Sequence, residues 1–226
     1  MSHALTDLPR RAALRAFSAL ALAAFALTPA LAQQQTLTIG LIPAEDSQAM
    51  IESSRQVLDE LQKQLGMPVK PFVATDYNGV IEALRSRKLD VAYLGPFSYV
   101  LASSVANVEA FAVAETKKTG QSSYKSLILA RKDSGLRAVS DLKGKNFAFV
   151  DPSSASGHLF PKAGLQQTGL DPDSYFGRVL FSGSHDASIL AVANKKVDAA
   201  AVADRIFASA VAKGTVKQDD FVVLWS

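Results

Sequence analysis

The sequence contains no cysteine. This absence excludes disulfide bonds, and it also excludes a lipid-modified cysteine behind an export signal. Histidine is scarce, with three residues in the whole chain. Of these, His158 and His185 follow the predicted signal segment described below. Because two histidines without cysteine cannot form a zinc site unless carboxylates help, we expect no metal and no cofactor.

Sequence motifs of enzymes are also lacking. There is no G-x-S-x-G nucleophile elbow and no phosphate-cradling loop with a lysine. Ser184-His185-Asp186 has the residue types of a hydrolytic triad, but residues adjacent in sequence point in different directions and cannot form its relay. We therefore expect a protein that is not an enzyme. A secreted hydrolase using His185 and Asp186 is the alternative from a different class.

Neither sign of charge dominates the chain after residue 32. The full sequence has 24 Lys+Arg and 21 Asp+Glu. Residues 1–32 contain three of the basic residues and one of the acidic residues, which leaves 21 basic and 20 acidic residues. A surface this close to neutral offers no basic stripe for nucleic acid, so we expect no nucleic-acid partner.

A charged, an apolar and a small-residue segment follow one another at the N-terminus. Three arginines precede the apolar run at 16–26, and small residues lead to Ala32. This order predicts a secretory signal peptide over residues 1–32, cleaved near Ala32. The apolar run is short for a membrane span, and an uncleaved anchor is the alternative. The pair Arg10-Arg11 leaves twin-arginine export open beside the general route.

From residue 33 onward, short β-like runs alternate with helical stretches. The alternation predicts an α/β protein with mixed, mostly parallel sheets flanked by helices. We expect two lobes, residues 33–130 and 131–226, each long enough for its own core, with the ligand in the cleft between them. The predicted strands are 36–42, 69–73, 91–94, 108–114, 126–130, 147–150, 178–181, 199–202 and 222–225, and the main predicted helices are 47–65, 76–87, 97–104, 159–168, 187–194 and 205–213.

A hydroxyl- and glycine-rich segment, residues 151–158, follows a predicted buried strand and precedes a predicted helix. Such a turn presents hydroxyls and free backbone N–H groups at one point, and the helix dipole adds partial positive charge there. This arrangement suits an oxyanion. The alternative is simple helix capping, which also requires Ser and Gly.

Other polar residues fall at predicted strand ends or helix starts, where open α/β sheets bind ligands. Each also has a structural explanation: Tyr93 could pack in the core, Tyr124 could lie in a surface loop, and Asp204 could cap the helix from residue 205. The full set is Asp76, Tyr77, Tyr93, Tyr124, Ser154, Ser156, His185, Asp186 and Asp204.

Several segments together, in order and spacing, resemble the phosphonate- and phosphite-binding periplasmic components of ABC transporters, which have the two-lobed type II solute-binding fold. The resemblance covers most of residues 36–226. The matching segments are TDYNGVIEAL at 75–84, LDVAYLGPFS at 89–98, YKSLIL at 124–129, DLKG at 141–144, DPSSASGHLFP at 151–161, and SHDASILAVAN at 184–194 followed by VD at 197–198.

The resemblance implies roles for the candidate residues. Ser154 and Ser156, with the backbone N–H groups that follow them, would hold a phosphorus oxyanion at a helix N-terminus. Tyr77 and Tyr124 would donate hydroxyl hydrogen bonds from the first lobe, and His185 would donate a ring N–H from the second. Neutral donors of this kind bind an anion strongly when water is excluded.

Further positions bear on ligand choice and on the extent of the chain. Asp204 matches an acidic contact of the family. Ala155 stands where aminoalkylphosphonate binders can carry threonine, so one possible hydroxyl donor is missing. Family members continue beyond the position of Ser226 with a return segment that completes the first lobe. We therefore expect a fragment or truncated homologue, with an incomplete first lobe and a second lobe that ends at the return crossover; a redesigned smaller fold is the alternative.

The expected function is that of a periplasmic, substrate-binding component of an ABC transporter. It would capture phosphonate, phosphite or a related phosphorus oxyanion and deliver it to a membrane permease. The alternative is a secreted binding protein for another small oxyanion, such as a sulfonate or a carboxylate, that serves a transporter or a sensor kinase.

Overall fold

The computed structural model describes residues 35–116 and 120–226. The predicted signal peptide lies outside the described residues. Within those ranges, none of the helices combines the length and the apolar character needed to cross a bilayer. Residues Thr36–Ser226 form one compact unit.

Strands and helices alternate along the described chain, as the sequence predicts. The strands are β1 Leu37–Leu41, β2 Val69–Val73, β3 Val91–Tyr93, β4 Ser126–Arg131, β5 Asn146–Phe149, β6 Arg178–Phe181, β7 Ala199–Ala203 and β8 Phe221–Trp225. The α-helices are α1 Ser47–Leu65, α2 Tyr77–Arg85, α3 Pro96–Ala106, α4 Phe160–Gln167, α5 Pro172–Tyr175, α6 His185–Ala193 and α7 Asp204–Ala212. One π-helical turn, Ala155–Leu159, leads into α4.

The first sheet has the strand order β2-β1-β3, and both neighbouring pairs are parallel. Helix α2 packs its apolar face, with Val80 fully buried, against Ile42, the residue that follows β1. The helix begins where it does because the Asp76 side chain accepts a hydrogen bond from the Gly79 N–H at 2.7 Å. This cap places Tyr77 in the first turn, at the carboxyl end of the sheet.

The second sheet has the order β6-β5-β7-β4-β8. Strand β5 runs parallel to β6 and β7, whereas β4 is antiparallel to β7 and β8. Leu127 and Leu129 of β4 belong to the core on one face, and Ile128 belongs to the core on the other. Because both faces are covered, the central strands are almost continuously apolar.

These sheets confirm the predicted fold class of mixed, mostly parallel sheets flanked by helices. One predicted strand, 108–114, was wrong. No strand is assigned to this segment, although its composition is β-like, and Phe111 and Val113 are 81% and 71% exposed. A strand exists only when a neighbour accepts its backbone hydrogen bonds, and among the described residues no neighbouring strand does so.

The pairing of β4 bears on the predicted lobes, 33–130 and 131–226. Strand β4 bonds to β7 and β8, so by sheet membership residues 126–131 go with the second sheet. The division into two lobes stays a prediction, and sheet membership favours a boundary before residue 126. Helix α5 was not predicted, although Asp171 caps it and Pro172 occupies its first position.

Candidate functional site

The turn after β5, residues 151–159, is the centre of the candidate site. The Ser154 hydroxyl accepts a hydrogen bond from the Gly157 N–H at 3.0 Å, so Ser154 caps the turn as the structural explanation predicts. The Ser154 N–H donates to the Asp151 carbonyl at 2.9 Å, and the Val150 N–H donates to the Gly157 carbonyl at 2.9 Å. The turn is therefore tied to the strand that leads into it.

The carboxylate of Asp151 joins this turn to helix α2. It accepts hydrogen bonds from the N–H groups of Ser153 at 2.7 Å and Tyr77 at 3.3 Å. The Ser153 hydroxyl donates to the Asn78 side-chain oxygen at 3.0 Å. Burial raises the pKa of Asp151, and the two N–H donors oppose that shift because they stabilise the carboxylate.

Two tyrosine hydroxyls lie near the serines that flank the buried Ala155. The Ser154 side chain lowers the pKa of Tyr77 and the Ser156 side chain lowers the pKa of Tyr124, in each case against the larger effect of burial. Tyr77 is 2% exposed, and Tyr124 is half-buried. Burial raises the pKa of both phenols, so both hydroxyls keep their protons at neutral pH and are neutral donors.

His185, at the start of α6, is buried, and its backbone N–H donates to the Ala44 carbonyl at 2.9 Å. Its Nδ1 accepts a hydrogen bond from the Ala203 N–H at 3.1 Å. Burial lowers the pKa of His185 to about 3, and the positive charge of Arg205 acts in the same direction. The ring is therefore neutral, and the hydrogen bond at Nδ1 assigns the proton to Nε2. His185 thus has one N–H to donate.

Asp204 lies at the first position of α7, half-buried, where its own N–H donates to the Lys125 carbonyl at 3.0 Å. Its carboxylate accepts a hydrogen bond from the Arg205 N–H at 2.7 Å, which is favourable at a helix N-terminus. The negative charge of Asp204 helps to raise the pKa of Tyr124, so the two side chains are near one another. Asp204 therefore belongs to the same region.

The structure brings the predicted site residues together. Ser154, Ala155 and Ser156 lie in one turn, the two tyrosine hydroxyls are near it, and shared electrostatic effects link Tyr77, Tyr124, His185 and Asp204. We call this set the anion cluster; it comprises Tyr77, Tyr124, Ser154, Ala155, Ser156, His185 and Asp204. That its members bind a ligand stays a prediction.

Sequence reasoning missed Arg205, whose guanidinium carbon lies 5.3 Å from the centroid of the Tyr124 ring. Its position in the first turn of the helix that follows β7 was a signal that could have been used. Tyr93 does not pack in the core: it is 44% exposed at the end of β3, close enough to Tyr124 to influence its pKa.

The hydrogen bonds around His185 contradict the arrangement that a hydrolase needs. A catalytic histidine donates its Nδ1 proton to a carboxylate, but here Nδ1 accepts a backbone N–H. The Asp186 carboxylate instead accepts the Asp46 N–H at 3.0 Å. Across residues 35–116 and 120–226, no cluster of three or more His, Asp or Glu side chains could hold a metal.

The fold is that of the type II periplasmic binding proteins. A binding-protein component of an ABC phosphonate transporter from Pseudomonas aeruginosa superposes with a TM-score of 0.80 and 32% identity, over 85% of this chain and 65% of that one. PhnD1 of Prochlorococcus marinus, solved in complex with methylphosphonate, superposes with a TM-score of 0.75 and 25% identity, over 84% and 71%.

Sequence comparison gives the family. Residues 39–226 match the ABC-transporter periplasmic substrate-binding proteins for phosphonate, so the chain belongs to this family. The phosphate-import protein PhnD of Mycolicibacterium smegmatis is 34% identical over 200 residues, which are 84% of this chain and 62% of that protein. The chain therefore spans less than two thirds of the length of this relative. Its family is one of substrate-binding proteins, as the sequence predicts.

Proposed function

We propose that this protein is the substrate-binding component of an ABC transporter that captures phosphonate, phosphite or a related phosphorus oxyanion. The periplasm is the proposed location, after cleavage near Ala32, and a membrane permease is the proposed partner. The observation that carries the proposal is that two protonated tyrosine hydroxyls lie near the serines of one buried turn, in a chain of the phosphonate-binding family.

The chemistry of the anion cluster supports an anionic ligand. The Tyr77 and Tyr124 hydroxyls are protonated, so each can donate a hydrogen bond to an incoming oxyanion. The Nε2–H of His185 adds a third neutral donor. Such donors form strong hydrogen bonds to a charged acceptor without placing net positive charge in the site. In this proposal the ligand is bound and released, and no covalent bond changes.

Elements of both sheets contribute to the cluster: Tyr77 follows the first sheet, whereas the 154–156 turn and His185 belong to the second. A ligand that bonds to both sets is held best when the two approach each other. We therefore propose that the ligand favours a closed arrangement through this difference in affinity. The Asn78–Ser153 and Asp46–Asp186 hydrogen bonds also join residues that follow the first sheet to residues that follow the second.

A ligand screen tests the proposed function. Thermal denaturation of the chain is measured with phosphite, methylphosphonate, phosphate, sulfate, an alkylsulfonate and acetate. A phosphorus oxyanion at 100 times its dissociation constant is expected to add about 2.7 kcal/mol to the free energy of unfolding. Stabilisation by the sulfonate or acetate alone would favour the alternative oxyanion. No stabilisation by any phosphorus compound would contradict the proposal.

Removing the Tyr124 hydroxyl tests the site within that function. Tyr124→Phe is expected to weaken binding of the best phosphorus oxyanion by about 1–3 kcal/mol, because a hydrogen bond to a charged group is lost. Isothermal titration calorimetry measures the change. Tyr175→Phe is the matched control, since its hydroxyl donates to the Ser140 carbonyl at 2.8 Å, outside the cluster. Equal affinities for both variants would remove Tyr124 from the site.

A further inference from the structure

Arg205 is a cation at the anion cluster, and its guanidinium has no carboxylate partner within the part of the chain that the structure describes. Three other arginines of the described chain form close ion pairs: Arg55 with Glu52, Arg85 with Glu82 and Arg131 with Asp133. Within residues 35–116 and 120–226, no such ion pair is found for Arg205. Its guanidinium lies instead over the Tyr124 ring.

The geometry places this charge within reach of a bound ligand. Tyr124 lies between Arg205 and the turn, because its hydroxyl is near Ser156 while its ring lies under the guanidinium. A ligand held by that hydroxyl therefore lies about one aromatic ring away from Arg205. The positive charge of Arg205 also lowers the pKa of Tyr77, Tyr124 and His185, which shows that these members of the cluster experience it.

Asp204 does not cancel this effect. Its carboxylate accepts the Arg205 backbone N–H and lies at the positive end of the α7 dipole. Of the two charges, Arg205 has the larger influence on the pKa of Tyr124. At Tyr124 the positive charge therefore dominates and favours negative charge on the ligand, whereas at Tyr77 the Asp151 carboxylate has a larger influence than Arg205.

We propose that Arg205 is a specificity-determining residue that selects phosphonates whose carbon substituent is acidic over phosphonates whose substituent carries an ammonium group. The inference rests on the proposed function and names the ligand class within it. A guanidinium presents a planar set of N–H donors that matches a carboxylate, whereas it repels an ammonium group at the same place. Ala155 is consistent with this ligand preference, because its side chain offers no hydroxyl to a polar substituent.

Three phosphonates that differ in the charge of the substituent test the proposal. They are phosphonoacetate, propylphosphonate and 2-aminoethylphosphonate, and their dissociation constants are measured by calorimetry with the chain, Arg205→Gln and Arg205→Glu. We expect the unaltered chain to bind phosphonoacetate most tightly and 2-aminoethylphosphonate least tightly. Arg205→Gln is expected to reduce that preference about tenfold, because one charge near a partly exposed site is removed. Arg205→Glu is expected to reverse the order.

Arg178→Gln is the matched control, since Arg178 is exposed at the first residue of β6, the opposite end of the sheet from the cluster. It should keep the affinity ratios of the unaltered chain. A ratio unchanged in Arg205→Gln, or tighter binding of 2-aminoethylphosphonate than of phosphonoacetate by the unaltered chain, would overturn the inference. Tight binding of propylphosphonate would still support the proposed function in either case. If none of the three phosphonates binds, and phosphite and phosphate also do not bind, both the inference about Arg205 and the proposed function are overturned.

Discussion

Gly157→Ala is expected to lower the free energy of unfolding by about 3 kcal/mol and to abolish anion binding, because overpacking a buried turn forces its backbone apart. A β-carbon at this position would lie 2.5 Å from Val150 Cγ2 and 2.8 Å from the Ser154 hydroxyl oxygen. Val150 cannot move away freely, since it is fully buried and its N–H donates to the Gly157 carbonyl. The same displacement would break the Ser154 cap.

Gly95→Ala is the matched control for this change. Gly95 also precedes a helix, α3, but an added β-carbon would meet nothing closer than 3.6 Å, and its φ of −81° suits alanine. We expect a loss below about 1 kcal/mol, the scale of an altered N-cap. Urea unfolding measures the stabilities, and calorimetry measures the binding. If Gly157→Ala is no less stable than Gly95→Ala, the turn can accommodate a side chain and does not fix the cluster.

The strands of the second sheet could be predicted because their sequences reflect their surroundings. Strand β7, AAAVA, is buried along its whole length, and a short continuous apolar run indicates such a central strand. The segment 108–114 has a similar composition but no partner strand among the described residues. Side-chain patterns indicate which segments suit a strand, whereas the pairing that makes one is a tertiary property.

The candidate site could be predicted to a large extent for one physical reason. Tyr77, the 154–156 turn, His185 and Asp204 all lie near the carboxyl ends of strands or at the helix starts that follow, and the fold brings those ends together. The contacts that refine the site could not be predicted. Asp186 bonds to the Asp46 backbone, which is distant in sequence.

Arg205 illustrates the same limit more sharply. In the sequence, it is one charged residue at the start of a helix, where arginine is usually a solvated side chain. The proposed effect of Arg205 on ligand choice depends on Tyr124. This residue lies in a different part of the chain, and its ring meets the guanidinium only in the folded protein. A ligand preference that depends on such a pair can therefore be inferred only from the tertiary structure.

Lowering the pH from 7 to 5 is expected to reduce the free energy of unfolding by about 2 kcal/mol through His185 alone. The native pKa of about 3 lies below the ordinary value of 6.5, so between these values the unfolded chain binds a proton that the native ring does not. The unfolded state binds more protons there, and stability consequently rises with pH. The contribution is fully present above pH 6.5 and is lost as the pH falls towards 3.

His185→Asn isolates this contribution and tests the ligand role of the ring in the same protein. The Asn oxygen can occupy the place of Nδ1 and accept the Ala203 N–H, but asparagine does not titrate and has no donor at the place of Nε2. Asp151, whose raised pKa gives stability the opposite pH dependence, is present in both proteins and cancels in the comparison. We expect the free energy of unfolding of the variant to fall by about 2 kcal/mol less than that of the unaltered chain between pH 7 and 5.

The same variant tests the ligand contact, because at pH 7 it should bind the oxyanion about 1–3 kcal/mol more weakly. Urea unfolding at both pH values and calorimetry provide the two measurements. Parallel pH profiles would show that His185 titrates normally and is not the buried neutral donor, and unchanged affinity would place Nε2 outside the ligand contacts.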